Sequence, residues 1–146
     1  MKPEELRTLI RRFLDEVLNA HDSRALKRFC TPDFTYNMPG QRFPAKGPEG
    51  YGQFLQGYFT AFPDMRFSFD DIIVEGNRVA VRWSAFGTHK GNLGNIPPTG
   101  KHVTTSAMHF SRWNEAGMAV EAWQIGDAMG LLQQLGVIPT PSHVTA

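Results

Sequence analysis

Between Glu4 and Leu18 the apolar residues Leu6, Leu9, Ile10, Phe13, Leu14, Val17 and Leu18 recur at steps of three and four, which predicts a helix opened by Pro3. A second, short helix fits Ser23 to Cys30, with Asp22 or Ser23 as its cap and Pro32 as its limit. Cys30 falls on its apolar face with Leu26 and Phe29. Phe34, Tyr36 and Met38 then alternate with polar residues, the period of a half-buried strand. Pro39 to Pro48 reads as loop, and a third helix starts near Pro48. Its apolar positions are Tyr51, Phe54, Leu55, Tyr58, Phe59 and Phe62, and Pro63 stops it. So dense an aromatic face reads first as core.

From Met65 the period changes to two, and four strands follow. Glu75-Gly76-Asn77-Arg78 predicts a tight turn. After it Val79, Val81 and Trp83 share one face, and Ala80, Arg82 and Ser84 the other. A glycine- and proline-rich loop from Gly91 to Gly100 leads into a strand from Lys101 to Trp113. A turn at Asn114 to Gly117 leads into a last strand ending near Asp127. Gly130 to Leu135 predicts a terminal helix ended by Gly136 and Pro139. Early helices and a late meander of strands predict the α+β class: three N-terminal helices against a strongly curved, mainly antiparallel sheet, with a hollow between them suited to a ligand. A single domain over residues 1–139 and a flexible tail over 140–146 are expected.

Composition narrows the function classes. The chain has 146 residues and a formal charge of +1, without the basic footprint of a nucleic-acid binder. No apolar run reaches the ~20 residues of a membrane helix. The charged, amphipathic start does not read as a signal peptide. The single cysteine, Cys30, excludes an internal disulfide, and no histidine pair has metal-ligand spacing. A cytoplasmic protein without metal or organic cofactor is expected.

Four segments carry a resemblance: Ala61-Phe62-Pro63-Asp64, Gly87-Thr88-His89-Lys90-Gly91, Pro98-Thr99-Gly100-Lys101, and Glu121 to Asp127 followed by Gly130-Leu131-Leu132-Gln133-Gln134-Leu135-Gly136. In order and spacing they resemble the SnoaL-like polyketide cyclase family over roughly Leu6 to Val137. The resemblance implies the cone-shaped fold of nuclear transport factor two and a homodimer paired through the open sheet face. It also implies a cofactor-independent aldol-type ring closure of an apolar or aromatic carbonyl compound, with Asp127 as general acid/base. His109 is the nearest counterpart of a histidine that the family places beside that aspartate.

From the residues alone, Asp127 also reads as an N-cap of the terminal helix, and the two roles can coexist. With a two-residue turn at Glu115-Ala116, Arg112 pairs with Ala119 and Thr104 with Asp127, which turns His109 away from Asp127. A one-residue slip or a bulge at Gly126 reverses that. Candidate substrate-binding residues are Tyr36, Phe59, Arg82, Trp83, Trp123 and His89. Arg82, a charge within a strand, needs solvent, a carboxylate or a ligand. Trp83 and Trp123 equally suit core packing, and His89 a turn that closes a strand. Epoxide opening in this fold uses Arg-x-Asp on one strand, which the chain lacks. Steroid-type isomerisation and a non-catalytic binding or dimerising module remain as alternatives.

Overall fold

Pro3 sits in the first turn of α1 (Pro3–Phe13), where its missing N–H costs nothing. Glu4 and Glu5 at its start and Arg11 and Arg12 at its end complement the helix dipole. The helix continues through a π-helical turn, Leu14–Leu18, whose wider winding buries both Val17 and Leu18. The second predicted helix is a 3-10 helix, Ser23–Arg28, capped by Asp22, which accepts a 3.1 Å bond from the Arg24 N–H. Cys30 lies beyond it, as the first residue of β1 (Cys30–Asn37). The expected loop holds a two-residue strand, β2 (Ala45–Lys46), before α2 (Gly47–Ala61). Then come β3 (Arg66–Glu75), β4 (Arg78–Thr88), β5 (His102–Trp113), β6 (Ala119–Gly126) and α3 (Ala128–Gln134). This computed structural model describes residues 1–141. Most of the expected tail, 142–146, lies outside the described residues.

The six strands form one curled, unclosed sheet in the order β2-β1-β6-β5-β4-β3. Its ladders are antiparallel except for β1 against β6, which is parallel. Gly76 adopts a φ of +59° in the two-residue turn between β3 and β4, a conformation glycine takes without steric cost. The main core fills the concave side of the sheet: Phe29, Phe34, Tyr36 and Val79 are almost fully buried beneath α1 and α2. A smaller core, centred on Phe62, Met65, Leu131 and Leu135, fastens α3 to β4 and β5.

Two of the motifs noted above are structural ties. Asp64 accepts from the Thr88 N–H at 2.7 Å and from its hydroxyl at 2.8 Å, joining the α2–β3 turn to the end of β4. These bonds hold its carboxyl below the usual carboxylate range. His89 is fully buried between the Gly87–Gly91 and Pro98–Lys101 segments. Its N–H donates to the Lys101 carbonyl, and its Nδ1 accepts from the Thr99 N–H at 3.2 Å.

Candidate functional site

The hollow between sheet and helices is a cavity of about 270 Å³ with predominantly apolar walls. Its walls come from α1, α2 and the inner faces of β1 and β3 to β6, and α3 forms part of the rim. Alternation along the strands decides which side chains enter it. Trp83 pairs with Ala107, His109 with Val81 and with Gln124, so Trp83, His109 and Gln124 share the inner face. Phe110 opposite Trp123 and Met108 opposite Ile125 share the outer one.

The β5–β6 register differs from that expected. Arg112 pairs with Glu121, and Trp113 with Ala119. The connecting turn is wider than two residues, closed by the Asn114 N–H to the Met118 carbonyl at 2.9 Å, and Val120 adds an extra residue on β6. The net shift is two residues, which preserves which face each side chain takes. Asp127 stands just past the ladder, its N–H bonded to the Ser106 carbonyl at 3.2 Å. There the backbone leaves the strand, at φ −89° and ψ 69°, so strand alternation no longer sets where this side chain points. Asp127 borders the cavity rim and caps α3, accepting from the Gly130 N–H at 2.9 Å. A Cβ at residue 130 would crowd that carboxylate, so the glycine lets the side chain sit tight against the first turn. Cap and cavity position therefore coexist in Asp127.

His109, on the wall, is densely enclosed, and burial lowers its pKa to about 4, which keeps it neutral. Its Nδ1 lies 3.2 Å from Gln124 Oε1. The same oxygen accepts from Trp83 Nε1 at 3.3 Å. Asp127 and His109 thus border one cavity, and no hydrogen bond joins them among the described residues.

The remaining candidates divide. Trp83 lines the cavity. Tyr36 is buried one layer behind the wall, its ring 4.3 Å from that of Tyr51 and 6.3 Å from that of His109. Its hydroxyl has no partner among the described residues, and burial raises its pKa. Phe59 belongs to the core, stacked at 4.6 Å on His21. Arg82 faces outward, with Nη2 2.7 Å from Asp71 and Nη1 3.7 Å from Asp70: its charge is met by carboxylates in water rather than by a ligand. Trp123 is half exposed on the outer face, because its neighbour Gln124 takes the inner one. His89 closes the β4–β5 connection away from the cavity. Cys30 is buried, and burial pushes its thiol up to about 12, out of the range of a nucleophile. Among the described residues no three His, Cys, Asp or Glu side chains gather as metal ligands. No helix among them is long and apolar enough to cross a membrane.

Sequence reasoning passed over Gln124, which lines the cavity; Tyr58, an apolar-face position of the third predicted helix, lines it as well. The available signal for Gln124 was a polar residue at an inward position of β6, two after the buried Ala122.

Comparison with known proteins gives a consistent result. The family model for SnoaL-like polyketide cyclase matches residues 8–135. No curated protein sequence matches significantly. IdmH, a candidate polyketide cyclase from Streptomyces antibioticus, is 31% identical with a TM-score of 0.78, over 90% of this chain and 98% of its own. AclR, a candidate hydroxylase from Streptomyces galilaeus, is 24% identical with a TM-score of 0.85, over 98% of this chain and 88% of its own. A candidate SnoaL-like polyketide cyclase from Jannaschia sp. CCS1 is 21% identical with a TM-score of 0.84, over 95% of this chain and 98% of its own. The last two share the fold.

Proposed function

The chain belongs to the SnoaL-like polyketide cyclase family, and from that premise we propose that it is a cofactor-independent acid/base enzyme closing a ring in an apolar carbonyl compound. The observation that carries this reading is one apolar cavity bordered by an aspartate at the rim and a neutral histidine on the wall. Asp127 takes an α-proton from the substrate and leaves an enolate. The enolate carbon attacks a second carbonyl carbon of the same molecule, one C–C bond forms, and the proton returns to the new alkoxide. Holding both ends of the substrate in one cavity supplies much of the rate. Tyr58, whose hydroxyl burial keeps protonated, offers a donor to a carbonyl oxygen.

The probe is 2-tetralone, a flat apolar ketone with acidic α-protons, and the readout is α-proton exchange in D2O followed by NMR. The wild type accelerates exchange, and Asp127→Asn reduces that acceleration by about 10²-fold or more, the usual scale for a positioned acid/base. Exchange no faster than buffer with tetralone bound, or equal exchange by the variant, overturns the reading.

A second copy of the chain is proposed as partner for the outer face, where Phe86, Met108, Trp123 and Ile125 stand exposed together on β4 to β6. Sedimentation equilibrium then shows a dimer, and Trp123→Asp shifts it to monomer. The buried, unpaired Cys30 suits a reducing compartment, which supports placing the protein in the cytoplasm.

A further inference from the structure

His109 is the only histidine on the cavity wall among the described residues, and which of its two ring nitrogens carries the proton decides what the wall offers a ligand. Three residues on three strands settle that. The Trp83 indole N–H can only donate, so the group 3.3 Å from it must accept, and the Gln124 amide is therefore held with its oxygen toward Trp83. That same oxygen lies 3.2 Å from His109 Nδ1. An amide oxygen only accepts, so Nδ1 must carry the hydrogen. A neutral imidazole has one N–H, and Nε2 is then left with a bare lone pair and no partner among the described residues. The other wall of the histidine is uncharged: the Tyr36 ring on β1 stacks beside it and Val81 stands opposite it on β4. Among the described residues no carboxylate is hydrogen-bonded to the ring to compete for its proton.

We infer that Gln124 is a positioning residue that, anchored by Trp83, locks His109 in the Nδ1–H form, so that this wall recognises a hydroxyl or enol donor on the ligand and not a carbonyl oxygen. The inference deepens the reading above, since it specifies the substrate the same cavity selects: a carbonyl compound that also carries a hydroxyl, its O–H directed at His109 Nε2 while its α-carbon is left to Asp127. A change of tautomer would turn the acceptor into a donor and reverse the preference. Gln124 does this without touching the reacting atoms.

The test has two parts, neither of which needs turnover. In protein labelled with 15N-histidine, long-range 1H–15N correlation spectra at neutral pH assign the tautomer of His109, identified by its loss in His109→Phe. The wild type shows protonated Nδ1 and bare Nε2. Gln124→Leu, which keeps the bulk and removes the acceptor, shifts His109 toward the Nε2–H form. In parallel, 2-naphthol and 2-methoxynaphthalene, which differ in whether they carry an O–H donor, are compared by calorimetry. The wild type favours 2-naphthol by about 2- to 10-fold, the worth of one net hydrogen bond, and Gln124→Leu loses the preference. A wild-type His109 protonated at Nε2, or equal affinity for the two naphthalenes, overturns the inference. Preference for 2-naphthol without any α-proton exchange of 2-tetralone leaves it standing and removes the proposed reaction instead.

Discussion

The two faces of the β4–β6 sheet carry the same kind of side chain to opposite ends. On the inner face Trp83, Gln124 and His109 form a neutral hydrogen-bonded row among aromatic and aliphatic neighbours. On the outer face Arg82 meets Asp70 and Asp71, and Arg112 meets Glu121 at 3.1 Å, beside exposed Phe86, Met108 and Trp123. The outer pairs are screened by water and each contributes little. The inner row lies where water is scarce, so a polar group left unpartnered there costs about 1–3 kcal/mol. The comparison shows that a polar residue on a strand gains chemical consequence from the face it occupies. Arg82 and Gln124 both stand inside their strands, and only one of them meets the cavity.

The largest contrast is expected in packing. Phe34→Ala, beneath the inner face, lowers unfolding free energy by about 3–5 kcal/mol in denaturant titration. Trp123→Ser on the outer face changes it by only about 0.5 kcal/mol, measured at concentrations where the protein is monomeric. Equal losses from the two would erase the distinction between the faces.

Acid comes next. The folded pKa of His109 lies near 4, below the ordinary 6.5 of the unfolded chain. Its contribution is therefore complete above pH 6.5 and is lost as pH falls toward 4, by up to about 3 kcal/mol. His109→Phe removes that part of the slope, and an unchanged slope would mean the ring is solvated.

Asp127 separates two roles that one residue carries. Asp127→Ala removes the cap of α3 and costs about 1 kcal/mol of stability, whereas Asp127→Asn keeps most of the cap. Both variants lose proton exchange, so stability and activity part company in the asparagine variant. The smallest effect is expected at Arg82→Met, below about 1 kcal/mol and weaker still in high salt.

Periodicity in the chain determined most of the elements and the α+β class, because a step of three or four against a step of two is a local property of the backbone. Val79, Val81 and Trp83 against Arg82 could be sorted to faces from alternation alone, and the glycine of the β3–β4 turn announced itself. The motif around Asp127 pointed to the family and to that residue, and its capping role was readable from the three residues that follow. Other features were decided only by the tertiary structure. Cys30 left the predicted helix for β1 because β6 offers it a strand partner in Ala119, more than eighty residues away. The parallel pairing of β1 with β6 has no local signature. The β5–β6 register depended on a wider turn and on the extra residue at Val120, and a register is the sum of such choices along a whole hairpin. Gln124 became significant only when that register set it opposite His109 and the neighbouring ladder brought Trp83 to the same oxygen. Three strands had to assemble before the chemistry of the wall existed.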